Sequence, residues 1–147
     1  MADAGTPVTG KRTEPQLLRQ LQTKERPAVF VRWDLVCLYA TTARQSQALV
    51  QVRHLVDMAG TLEQKASYYL ALAQLMELRQ HFADAATCYL SAIETNPADP
   101  GGLRRLEALL ENHPGIRHRI PDLMRQLWKC RMAVERAALY GLKTRPP

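Results

Sequence analysis

Apolar positions along this chain recur three and four residues apart instead of alternating, a pattern that predicts one helix after another. A short helix from about residue 14 carries Leu17, Leu18 and Leu21 on one face, with Thr13 as its N-cap and Pro15 in its first turn. Pro27 to about Arg44 reads as a strongly apolar helix through Phe30, Trp33, Leu35, Val36, Leu38 and Tyr39. Gln45 and Ser46 read as a turn, with Ser46 capping a helix whose stripe is Leu49, Val52, Leu55 and Val56 and which Gly60 ends. Thr61 with Gln64 has the form of a capping box, opening a helix to about Leu78.

Phe82 to about Thr95 forms the next helix, stopped by Asn96-Pro97, and Asp99-Pro100 starts another that reaches about Asn112. Pro114-Gly115 breaks the chain. Pro121 is expected in the first turn of a long last helix that reaches Tyr140 and stops at Gly141. That helix carries Leu123, Leu127, Cys130, Val134 and Ala137 or Ala138 on one side, with Arg125, Lys129, Arg131 and Arg136 on the others. Trp128 lies off this stripe and is read first as core at a neighbouring junction, second as an interface anchor. No segment shows the alternation of a half-buried strand. The expected class is all-α, built of antiparallel helical hairpins joined by short loops. The expected division is a disordered tail at 1–13, one helical domain at 14–141 and a basic tail at 142–147.

One stretch carries more than periodicity. Tyr69, Leu72, Ala73 and Met76 lie on one helix, and Phe82, Ala85, Tyr89, Ala92 and Pro97 on the next. The alanines mark points of close helix approach, and the large residues fill the space between. In this order and spacing, residues 66–99 resemble one unit of the tetratricopeptide repeat family. Trp33, Val36, Ala48 and Val52 upstream and Leu103, Leu106 and Leu110 downstream keep a weaker likeness. The resemblance implies a short α-solenoid with a long C-terminal helix, since a lone repeat cannot bury its own faces. It also implies a protein-binding scaffold whose first helices line a groove. Leu70, Gln74, Glu77 and Leu78 would then face the groove, with Arg104 and Arg105 on the next helix. Those two arginines point about 100° apart, so at most one faces a ligand. Members that clamp a C-terminal carboxylate use Lys and Asn, from which Leu70 and Gln74 depart. An apolar or amphipathic helix or extended peptide, acidic near the arginines, is the implied partner. The alternative for the first four residues is packing against a neighbouring helix.

Charge changes this picture in one respect. Residues 1–100 hold 10 Lys+Arg and 10 Asp+Glu, whereas residues 101–147 hold 10 and 4, so the whole net charge of +6 lies in the C-terminal third. A second reading therefore has this basic third binding nucleic acid nonspecifically through phosphate attraction. Only Trp128 and Tyr140 stand there as aromatics, too few for a base-stacking platform. Membrane-surface attachment by the last helix is a third reading, weakened by its few large apolar residues.

Catalytic patterns are missing: there is no phosphate-cradling glycine loop, GxSxG, HExxH or paired carboxylate. The expectation is no enzyme, no cofactor and no metal: His113, His118 and Cys130 are of ligand type, but their spacing matches no finger and carboxylates are sparse nearby. Cys37, Cys88 and Cys130 are scattered, and Cys37 and Cys88 read as buried free thiols. No run of apolar residues is long enough to span a bilayer, and residues 1–14 lack the apolar segment of a secretory signal. A cytoplasmic adaptor, scaffold or dedicated chaperone, with homo-oligomers as a further expectation, is the reading that follows.

Overall fold

Capping chemistry sets where several of the helices begin. The computed structural model describes residues 12–144. Here the Thr13 hydroxyl accepts from the Gln16 N–H (3.4 Å), and the Gln16 side chain accepts from the Thr13 N–H (2.9 Å). This reciprocal pair satisfies two donors that every helix start leaves open. Helix α1 (Glu14–Thr23) follows, then α2 (Ala28–Thr41), α3 (Gln45–Met58), α4 (Leu62–Leu78), α5 (Phe82–Thr95) and α6 (Gly101–Asn112). A 3-10 turn (Pro114–His118) leads to α7 (Leu123–Thr144). The described residues contain no strand, and neighbouring helices pack in pairs, so the fold is all-α. The tail expected at 1–13 lies outside the described residues except for Arg12 and Thr13, and Thr13 belongs to the start of α1.

Three boundaries and one capping bond differ from expectation. Ser46 is inside α3, which begins at Gln45 with the Arg44 carbonyl accepting from the Ala48 N–H (3.1 Å). The Thr61 hydroxyl caps α4 by accepting from Gln64 (3.1 Å), but the Gln64 side chain accepts from Gly60, not from Thr61 (3.0 Å). Pro121 lies in the turn before α7, where Asp122 takes a left-handed φ of 57°. Gly141 does not stop α7, which continues to Thr144. A glycine ends a helix by turning left-handed, and Gly141 keeps an ordinary negative φ.

The helices form two compact units, one ending at Met58 and one beginning at Ala59. Leu17, Val31, Leu35, Val52 and Leu55 are buried at the centre of the first. Glu14 ties its helices together. Its carboxylate accepts from Arg44 Nη1 (2.9 Å), Arg44 Nη2 (3.0 Å) and the Tyr39 hydroxyl (2.6 Å). The Arg44 guanidinium also stands 4.5 Å from the Tyr39 ring centre. Arg44 first, and Tyr39 after it, hold the Glu14 carboxyl below its usual pKa. A lowered folded-state pKa stabilises the fold above the unfolded value, and that contribution is lost as pH falls through the folded one. Wild type is therefore expected to be more stable than Glu14→Gln at neutral pH, with the gap closing as pH drops below the ordinary glutamate range. Thermal midpoints of both proteins across the acid range would check this; a gap that held constant to the lowest pH would refute it.

In the second unit, α5 is central and packs against α4, α6 and α7. Ala73 on α4 and Ala85, Ala86 and Ala92 on α5 are buried, as close crossing requires. Gly102 lets α6 approach closely. A Cβ there would stand 3.2 Å from Ile93 Cγ1 and 3.4 Å from Leu70 Cδ2. Leu123, Leu127 and Cys130 bury one side of α7. Burial, with the nearby charge of Glu94, pushes the Cys130 thiol up to about 11. Cys88 is buried as well, but Cys37 is only half-buried.

Both hairpins close with the same turn. In α2–α3 the Arg44 N–H donates to the Tyr39 carbonyl (2.9 Å) with Ala43 left-handed at φ 60°. In α4–α5 the His81 N–H donates to Met76 (2.8 Å) with Gln80 at φ 64°. This is the Schellman arrangement, in which a left-handed residue lets the chain satisfy the last carbonyls of the helix. Residue numbers differ by 37 throughout (39 to 76, 44 to 81). The shared turn therefore aligns Arg32, not Trp33, with Tyr69, and Val36 with Ala73. It keeps Ala48, Val52 and Leu55 in register with Ala85, Tyr89 and Ala92.

A cleft between α4, α5 and α6 as candidate functional site

The last turns of α4 supply Gln74, Glu77 and Leu78, and α5 supplies Phe82 and Tyr89 seven residues apart on one face. With Arg105 of α6 they line one open cleft of about 410 Å³. Its chemistry is divided. Leu78 and Phe82 make an apolar lip, and Leu78 is 78% exposed, the most exposed of the large apolar side chains described. Behind it runs a polar strip. The Tyr89 hydroxyl donates to Glu77 Oε1 (2.7 Å). Burial, and then Glu77, push the Tyr89 phenol far above its ordinary value, while Arg105 pulls the other way. The phenol is protonated at neutral pH, as any phenol is, and its hydrogen bond holds Glu77 along the cleft wall.

Phe82 has its own support. Its ring stacks on His113, with centroids 3.6 Å apart and planes 17° apart. That stacking accounts for one of the side chains weighed as metal ligands. Among the described residues no three His, Cys, Asp or Glu side chains stand together as a ligand set.

Of the six residues expected to bind a partner, the cleft brings together Gln74, Glu77, Leu78 and Arg105. Leu70 stands apart. It lines a different cavity with Glu63, Ala66 and Ser67 of α4 and the turn Asn96–Pro100, and packs toward Gly102. Arg104 is exposed and takes no part in the cleft, in line with two adjacent arginines pointing in different directions. Phe82 and Tyr89 are lining residues that sequence reasoning assigned to packing alone. Their seven-residue spacing on one helix face was the available signal.

Trp128 corrects a further expectation. It is 61% exposed and not core. Helix α7 turns Leu123, Leu127 and Cys130 inward, and residue 128 follows about 100° round from Leu127. No helix among the described residues is long and apolar enough to cross a membrane. Comparison with protein-family models, curated proteins and solved structures returns no match to this chain. The cleft is therefore interpreted from its own residues and geometry.

Proposed function

We propose that this chain is a non-catalytic, cytoplasmic protein-interaction module of the tetratricopeptide type, an adaptor, scaffold or dedicated chaperone. Its partner is a helix or extended peptide held in the cleft between α4, α5 and α6. The observation that carries this reading is the convergence of Gln74, Glu77, Leu78 and Arg105, from two separate helices, on one cleft.

The lining suits a segment with one apolar side chain for the Leu78–Phe82 lip and an acidic group for Arg105. The Gln74 amide can pair with the segment's backbone. Apolar anchoring supplies most of the affinity in such sites, and the charged contact supplies orientation. The ordered wall also supports the reading. Tyr89 holding Glu77, and His113 backing Phe82, reduce the side-chain freedom that a ligand would otherwise have to freeze.

The test is capture of the tagged full chain from its own cell lysate at near-physiological salt, with and without nuclease. Wild type is expected to hold a stoichiometric protein that survives nuclease. Leu78→Asp with Arg105→Glu is expected to lose it while keeping wild-type helicity, because both side chains are exposed. Recovery of nucleic acid alone, or equal capture by the double variant, would overturn the assignment and turn attention to the basic C-terminal third.

A further inference from the structure

The face of α7 turned away from Leu123, Leu127 and Cys130 has a defined composition. Met124, Trp128 and Met132 follow one another at four-residue intervals, and Leu139 lies seven residues further on. All four are exposed, Met124 by 52% and Leu139 by 60%. Residues so spaced share one side of a helix, and from 124 to 139 the strip is about 22 Å long. A row of exposed cations, Arg125, Lys129 and Arg136, runs beside it, each next along the helix surface from the apolar strip. On the other edge Arg131 is already held by Glu107 of α6 at 2.8 Å.

Exposed Met and Trp are costly to leave in water. A tryptophan with adaptable methionines on either side is the composition of a binding hot spot. We propose that this face of α7 docks an amphipathic helix of a partner protein, one with an apolar stripe and acidic residues along one edge.

Four features select that occupant. The strip is straight and helix-spaced, which matches a second helix laid along it. Apart from Arg131, which Glu107 holds, the cations beside the strip lie along one edge, so a partner with acids on the matching edge pairs Arg125, Lys129 and Arg136. A second copy of the chain fits poorly. Residues 101–147 carry 10 Lys+Arg against 4 Asp+Glu, so self-association through this face opposes like charges. An anionic bilayer fits poorly too. Glu135 is exposed on the same strip and would face lipid phosphates, whereas a protein partner can answer it with a single base.

The probe is a synthetic fluorescent peptide of about 20 residues, long enough to cover the strip as a helix. It carries leucines on one face and glutamates along one edge. It is titrated against the full chain by anisotropy. Saturable binding is expected, about tenfold weaker for Trp128→Ser and again for Arg125→Glu with Lys129→Glu. The same peptide with lysines in place of the glutamates should bind at least as weakly. Trp128→Ser is an exposed substitution and should keep its helical circular dichroism; the charge-reversal variant is a second, independent readout. Arg53→Glu, a charge reversal at an exposed position of α3, should leave the peptide affinity unchanged, which separates this surface from a general effect of net charge. The proposal is overturned if the peptide fails to bind, if Trp128→Ser binds it as wild type does, or if Arg53→Glu weakens it as much as the Arg125→Glu, Lys129→Glu variant does. It is equally overturned if Trp128 mediates only pelleting with phosphatidylserine vesicles, or only dimerisation in sedimentation equilibrium.

Discussion

Ala73→Trp is expected to lower the thermal midpoint of the chain by roughly 5–20 °C, the shift that follows from an overpacking cost of about 1–3 kcal/mol in a unit of this size. Ala73 is fully buried on α4, and Ala85 and Ala92 on the helix opposite are at most 3% exposed. Three small side chains at one crossing leave no free volume for an indole. The helices must separate, and separation strips Leu72, Met76 and Tyr89 of their contacts as well. The control is Ser67→Trp on the same helix at an exposed position, expected to stay within about 0.5 kcal/mol of wild type. Thermal unfolding followed by circular dichroism measures both. A wild-type midpoint for Ala73→Trp would mean that α4 and α5 do not cross closely, and the repeat-like hairpin would fall with it.

Leu35→Ala is expected to cost more, about 2–5 kcal/mol, because it removes a fully buried side chain and leaves a cavity. The informative comparison is Phe30→Ala, five residues earlier on α2. Phe30 is the larger side chain, yet it is 59% exposed, so its loss should cost about 0.5 kcal/mol or less. Urea unfolding of the two variants measures the difference directly. Equal costs would show that the face of α2 carrying Val31 and Leu35 is not the buried one.

That pair also shows where sequence reasoning reached its limit. Apolar residues surround α2, including Phe30, Val31, Trp33, Leu35, Val36, Leu38 and Tyr39. With no polar side to mark the solvent, periodicity cannot say which residues face inward. Helix α7 has the opposite difficulty. Its strong stripe through Leu123, Leu127 and Cys130 was legible and is buried. Trp128 lies off that stripe in the sequence too, but periodicity along one helix offers no neighbour to test it against, and its first reading as core at a neighbouring junction gives way to exposure beside Met124 and Met132.

The turn between α2 and α3 was placed late for a related reason. The signal sought was a residue that favours a turn, and Gln45-Ser46 offered one. The residue that turns left-handed is Ala43, as Gln80 does in the second hairpin, and neither is glycine. Tertiary packing of each hairpin holds these residues in a conformation their side chains disfavour. The two hairpins also exchange volume. Where α4–α5 has Ala73, Tyr89 and Ala92, the same register of α2–α3 has Val36, Val52 and Leu55. Two positions grow and one shrinks, which keeps the crossing filled while it erases the likeness in sequence.

The sequence by itself determined the all-helical class, the start of α1 at Thr13, the span Phe82–Thr95 of α5, and the small residues at the α4–α5 crossing. Each depends on chemistry within one turn of helix or on a repeating interval along one helix, so local residues suffice to specify it. Only the tertiary structure decided which of the candidate residues meet. Gln74, Glu77 and Leu78 reach Arg105 across the space beside α5, while Leu70 is drawn toward Gly102 and Arg104 points away. That grouping depends on how closely α6 approaches and at what rotation, which is set by the absent side chain of Gly102 and the bulk of Ile93, on different helices. No pattern along one helix records a distance to another.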